Sequence, residues 1–111
     1  MKVLHLVLKR KYWEQIYEGT KTTEYRYFTK YWQKRIEGKH YTHIKFQLAY
    51  SKNPPTMLVE IHDRNVIEYK DELAYAFDLG KILKVENYPY PAWKCLKTTI
   101  LGVKSTIYDG Y

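Results

Sequence analysis

With 111 residues, the chain has room for one hydrophobic core, and its 45% hydrophobic and 28% charged residues are typical of a globular protein and not of a disordered one. It contains no run of about 20 apolar residues, which excludes an apolar membrane-spanning helix. Residues 1–5 lead into a strand pattern and not into a signal peptide, so we expect a cytoplasmic protein with no membrane partner.

Cysteine and histidine usage gives no metal-binding pattern. Cys95 is the only cysteine, so it has no partner for an internal disulfide and no second cysteine at zinc-binding spacing. His5, His40, His43 and His62 are scattered along the chain and fit no ligand motif. We therefore expect no metal and no cofactor.

Charge and aromatic content together favour a nucleic-acid partner. The chain has 19 Lys and Arg against 12 Asp and Glu, a formal net charge of +7, and 13 Tyr with 3 Trp. Aromatic residues alternate with cations in residues 10–13, 25–27 and 30–35. Rings that stack on exposed bases, beside cations that contact phosphates, are the usual means of holding single-stranded RNA. The alternative is that half of these rings belong to the core.

The first half of the chain predicts two strands, each followed by a helix. Alternating apolar residues predict a strand over 2–9, and helical spacing predicts a helix over 10–18 that ends at Gly19. Thr and Tyr are frequent in residues 21–28, which favours a second strand. Thr29 is a suitable N-cap for a short helix that runs to about residue 36.

The second half predicts further strands of the same domain. Alternation is clear in residues 43–50 and 57–63, on either side of a proline-containing loop over 51–55. Residues 66–75 are ambiguous, with a strand end and a short helical turn beginning near Asp71. The remaining expectations are a last strand over 76–85, interrupted by Gly80, a domain boundary after residue 85, and a C-terminal extension over 86–111 that includes a strand-like run at 98–103.

One motif resembles a known family. Residues 18–26, EGTKTTEYR, resemble the Gly-x-Lys-x-x-Glu-x-Arg signature of ASCH proteins, with Gly19, Lys21, Glu24 and Arg26 at the fixed positions. The flanking segments are similar to small bacterial and phage members, and the resemblance covers about residues 3–84. It implies an α+β fold, a small PUA-like β-barrel with short flanking helices, and a cleft between barrel and helices where RNA or a nucleotide sits.

Strand geometry makes the motif plausible as a site. Glu24 and Arg26 lie two residues apart in a strand, hence on one face and within reach of an ion pair. Lys21 has the opposite parity and would point away, unless it lies in the turn after Gly19, before regular strand geometry begins. The alternative is that Glu24 and Arg26 form a buried pair that only fixes the strand.

Two classes of function follow, and a third stays open. The first is a binding module for RNA or a nucleotide, whose candidate contacts are Lys9, Gly19, Lys21, Glu24, Arg26, Trp32 and Lys52. The second is an enzyme in which Lys21, Glu24 and Arg26 are catalytic. The third is a protein-interaction module that uses a tyrosine-rich surface. The sequence leaves the oligomeric state open.

The resemblance implies two possible reactions for the enzyme. Relatives that deacetylate N4-acetylcytidine use a lysine and a threonine nucleophile, and Glu24 stands at the position of that threonine. Thr22 or Thr23 could supply a hydroxyl from a neighbouring position. Another relative behaves like a ribonuclease, which would make Glu24 a base and Lys21 or Arg26 a stabiliser of the charged intermediate.

Overall fold

A computed structural model of the protein describes residues 1–87, which form five strands and two helices. In chain order the elements are β1 (Val3–Leu8), α1 (Arg10–Glu18), β2 (Thr23–Tyr27), α2 (Lys30–Ile36), β3 (His43–Leu48), β4 (Thr56–Tyr69) and β5 (Glu72–Glu86). The predicted boundary at residue 85 falls inside β5, and the expected extension, with its strand-like run at 98–103, lies outside the described residues from 88 onward.

The strands form one mixed sheet in the order β1-β3-β4-β5-β2. β1 pairs with β3 in parallel, and all other neighbours are antiparallel. The α+β class is therefore confirmed. Within residues 1–87 the sheet stays open, with β1 and β2 as its edges, so the predicted barrel is not seen. No helix in this part of the chain is long and apolar enough to cross a membrane.

The core lies between the inner face of the sheet and the two helices. Alternate residues of β1 and β3 point inward, as their alternation predicted, and α1 adds a buried face at helical spacing. Trp13 of α1 is fully buried, and its indole Nε1 donates a hydrogen bond to the Phe46 carbonyl at 3.1 Å. This bond and the surrounding apolar contacts fix α1, and hence the chain that leaves it, against β3.

Residues 66–75 form a β-hairpin, so the helical turn predicted near Asp71 is wrong. β4 runs to Tyr69 and β5 begins at Glu72, with only Lys70 and Asp71 between them. These two residues have φ values of 50° and 66°, as a two-residue hairpin turn of type I′ requires. Lys-Asp is not one of the common sequences for such turns, which explains why the sequence did not reveal it.

Two smaller expectations also change. β3 ends at Leu48, because Ala49 has a positive φ of 53°, and Tyr50, expected in the strand, is 85% exposed. At Gly80 the strand β5 is continuous, but its regular pairing with β4 is interrupted by a register shift, as is typical of a glycine at a bulge. A Cβ at Gly80 would lie 2.6 Å from Cδ2 of His62, so glycine admits the close approach of β4 at a position where the pairing register shifts.

Tyr75 of β5 has a buried hydroxyl near Glu37, the residue that follows α2. Its side chain is 1% exposed, and its hydroxyl has no hydrogen-bond partner among residues 1–87. Burial, and then the negative charge of Glu37, raise the pKa of this hydroxyl above its ordinary value. Through its backbone, Tyr75 is paired in register with Arg26 of β2.

Candidate functional site

The turn between α1 and β2 determines where Lys21 points. α1 ends at Gly19, whose φ of 87° is the left-handed conformation of a helix C-cap. The N–H of Lys21 donates to the Gln15 carbonyl at 3.1 Å, and β2 begins only at Thr23. Lys21 therefore precedes the strand, and its Nζ lies 3.2 Å from Oε1 of Glu24. Lys21 thus lies in the turn before regular strand geometry begins, which is the arrangement that lets Lys21 meet Glu24 and Arg26.

Glu24 joins the two cations of the motif. Its side chain is 3% exposed, and among residues 1–87 no other charged side chain is buried. Lys21 pairs with one carboxylate oxygen, while Nη1 of Arg26 donates to the other oxygen and also, at 2.9 Å, to the Tyr25 carbonyl. Both oxygens are thus occupied, and two positive charges are set against one negative charge. The net positive charge favours an anionic ligand.

Tyrosine rings surround this cluster. Nζ of Lys21 lies 5.7 Å from the ring centroid of Tyr12 and 5.5 Å from that of Tyr25, within the range of cation–π attraction. Tyr25 stacks on Tyr69, with centroids 4.2 Å apart and ring planes 16° apart. Tyr27 is 41% exposed and lies 6.4 Å from Tyr69. Cations and aromatic faces are therefore presented together.

The cluster and the rings line a cleft of about 210 Å³. Its lining residues are Leu8, Tyr12, Lys21, Glu24, Tyr25, Arg26, Tyr27 and Tyr69. Leu8 ends β1 and five of the others come from β2 and the turn before it, so the cleft lies where the two edge strands of the open sheet approach each other.

One edge of β2 has backbone groups that do not pair with β5. Near the two ends of the strand, the Thr22 carbonyl accepts a hydrogen bond from Leu79, and the N–H of Phe28 donates to the Leu73 carbonyl. In an antiparallel pair, the N–H and C=O groups of successive residues point alternately toward and away from the partner strand. The groups of Glu24 and Arg26 therefore point to β5, and those of Tyr25 point away from it. The Tyr25 N–H therefore lies on the edge of β2 that β5 does not cover, and Tyr25 itself lines the cleft.

Four of the predicted contact residues do not line this cleft: Lys9, Gly19, Trp32 and Lys52. Lys9 is exposed just before α1, and Lys52 is exposed in the loop between β3 and β4. Gly19 lines a separate cavity of about 60 Å³, together with Lys21 and Thr22. The role of Gly19 is to end α1, which lets the chain turn back toward Glu24.

Trp32 lies next to the cleft and not in its lining. It is half-buried against the hydrophobic core, and the guanidinium carbon of Arg26 lies 5.3 Å from its ring centroid. Sequence reasoning placed Tyr12, Tyr25 and Tyr27 among cations without selecting them as contacts. It missed Tyr69 altogether, because the β4–β5 hairpin that carries it was not recognised.

The remaining polar clusters differ from this one. A cavity of about 250 Å³ is lined by His40, Tyr41, Ile61, His62, Asp63 and Arg64. Arg64 directs its Nη1 to the carbonyls of Ile36 and Lys39, at 3.4 and 2.9 Å, and so secures the C-terminal end of α2. Among residues 1–87, no three histidine, cysteine, aspartate or glutamate side chains are grouped so that they could hold a metal ion.

Comparison with known proteins adds no relative. No protein-family model matches the sequence, and neither a curated protein nor a solved structure is significantly similar to it.

Proposed function

We propose that the chain is an ASCH-type, PUA-like protein that binds RNA or a nucleotide in the cleft of β2. The observation that carries the proposal is the buried carboxylate of Glu24, which holds Lys21 and Arg26 together in a cleft that is also lined by tyrosine rings. Cations for phosphate and open aromatic faces for bases are the two components that binding of single-stranded nucleic acid requires.

Each part of the cleft has a distinct role in this proposal. Lys21 and Arg26 attract the phosphate, since Glu24 neutralises only one of their two charges. A base stacks on the exposed face of Tyr27 or beside Tyr12, which is 42% exposed. The outward N–H of Tyr25 donates to an acceptor on the base edge. Glu24 acts by holding the cations in place, because both of its oxygens are already engaged.

Binding is better supported than catalysis. Among residues 1–87, no serine, threonine, cysteine or histidine lines the cleft, so this part of the chain presents no nucleophile of the usual kind and no imidazole base to it. Thr22 lies with Lys21 on the smaller cavity, and the hydroxyl of Thr23 donates to Asp78 at 3.2 Å. Neither threonine is placed for the acyl transfer of an N4-acetylcytidine amidohydrolase.

A paired substitution tests the proposal. Lys21→Ala is expected to weaken binding of single-stranded RNA about tenfold, since it removes a charge-assisted contact to phosphate. Lys52→Ala is the matched control, because Lys52 is an exposed lysine that does not line the cleft. Fluorescence anisotropy with labelled RNA, at low and moderate salt, gives both dissociation constants.

The same samples separate the alternatives. Equal affinities for Lys21→Ala and the unaltered protein would contradict the proposal, and so would the same loss for Lys52→Ala. An RNA affinity that does not change with salt would contradict contacts from Lys21 and Arg26 to phosphate. Incubation with N4-acetylcytidine and with RNA, followed by chromatography, detects turnover, and product whose formation Lys21→Ala abolishes would establish an enzyme.

A further inference from the structure

Helix α2 carries a second set of aromatic and cationic side chains outside the cleft. We call Tyr31, Trp32 and Arg35 the α2 platform. Tyr31 is 61% exposed and meets Trp32 edge-to-face, with ring centroids 4.9 Å apart. The guanidinium carbon of Arg35 lies 5.7 Å from the Tyr31 centroid and 5.0 Å from the Trp32 centroid. An open ring and a cation are thus fixed side by side.

Among residues 1–87, the groups that hold Arg35 in position are neutral. Its Nη2 donates to the His5 carbonyl of β1 at 3.2 Å, and its Nη1 lies 3.4 Å from the Tyr31 hydroxyl. Unlike Arg26, it forms no ion pair with a carboxylate among residues 1–87. An arginine that is oriented by neutral groups keeps its full charge and most of its five donors for a ligand such as phosphate.

The platform is continuous with the cleft through Trp32. Arg26, which lines the cleft, and Arg35 both lie against the Trp32 ring, so their guanidinium carbons are at most about 10 Å apart. At roughly 3.4 Å per nucleotide of a stacked strand, a separation of at most about 10 Å is spanned by no more than about three nucleotides. One strand can therefore contact both positions without a change in the protein.

We infer that the ligand is a single-stranded oligonucleotide and not a free nucleotide: one nucleotide occupies the cleft, while an adjacent phosphate contacts Arg35 and an adjacent base stacks on Tyr31. This inference rests on the proposed function of the cleft and extends it to the class of ligand. A mononucleotide would fill the cleft and leave the platform unused.

The test compares a short ligand with a long one. The probes are uridine monophosphate, measured by calorimetry, and a labelled oligouridylate of about eight nucleotides, a typical site size for such proteins. The double variant Tyr31→Ala/Arg35→Gln is expected to lose about tenfold or more in affinity for the oligonucleotide and to bind the mononucleotide as before. Tyr31→Ala alone removes an exposed ring. It is expected to lower the affinity for the oligonucleotide about threefold and to leave the thermal unfolding temperature unchanged.

The matched control deletes a tyrosine and a cation elsewhere. Tyr50→Ala/Lys84→Gln, at positions with side chains that are 85% and 66% exposed, is expected to bind both probes as the unaltered protein does. The inference is overturned if the oligonucleotide binds no tighter than the mononucleotide. It is also overturned if the platform variant and this control lose affinity for the oligonucleotide equally. If Lys21→Ala binds both probes normally, the proposed function of the cleft fails and the inference fails with it.

Discussion

Glu24→Gln is expected to lower the free energy of unfolding by about 3 kcal/mol, because it removes the negative charge that two neighbouring cations share. The side chains of Lys21 and Arg26 are only 20% and 18% exposed, so water replaces little of the lost interaction. Their mutual repulsion is then uncompensated at the edge of β2. Urea denaturation at neutral pH measures the change, and added salt is expected to restore part of the loss by screening that repulsion.

Glu86→Gln is the matched control for this substitution. Glu86 pairs with Lys84 at 3.7 Å, but its side chain is 48% exposed, so its removal is expected to cost less than about 0.5 kcal/mol. Similar losses for the two glutamates would mean that the Glu24 cluster contributes no more than a surface pair. The support that Glu24 is inferred to give Lys21 and Arg26 would then be refuted.

Trp13→Ala is expected to lower the free energy of unfolding by about 4 kcal/mol, the usual cost of deleting a large buried aromatic side chain. The substitution leaves a cavity between α1 and β3, and it removes the donor for the Phe46 carbonyl. Urea denaturation followed by circular dichroism measures the loss. Because Trp13 fixes α1, and α1 leads into the turn that carries Lys21, binding of RNA by the folded variant is expected to weaken as well.

Tyr12→Ala is the control at the adjacent position of α1. Tyr12 is 42% exposed and lines the cleft, so its loss is expected to cost about 1 kcal/mol or less in stability while weakening the binding of RNA to the folded protein. Comparable destabilisation by both substitutions would contradict the assignment of Trp13 to the core and Tyr12 to the cleft.

Much of the site was predictable because it depends on local geometry. Residues two apart in a strand share a face, which brings Glu24 and Arg26 together whatever β2 pairs with. Gly19 is a natural helix end, and a turn after it is the one place from which Lys21 could reach the same carboxylate. The helix bounds and the α+β class were predictable for the same reason, from apolar spacing within short segments.

The rest depends on contacts between distant segments. Tyr69 reaches the cleft only because β4 and β5 form a hairpin and β2 pairs with β5, and neither pairing has a local signal. Four consecutive buried residues of β5, from Ala74 to Phe77, reflect packing on both faces and hide the alternation that a half-exposed strand would show. The unusual turn at Lys70 and Asp71 also concealed the hairpin.

A backbone amide NMR titration with the oligouridylate tests the binding cleft most directly. If the cleft binds the strand, the largest shifts at sub-saturating ligand will fall on Tyr25, whose N–H is on the free edge of β2, and on Lys21, Tyr27 and Tyr69 around it. If the largest shifts instead surround the cavity near His62, or no amide shifts at saturating ligand, the cleft is not the binding site.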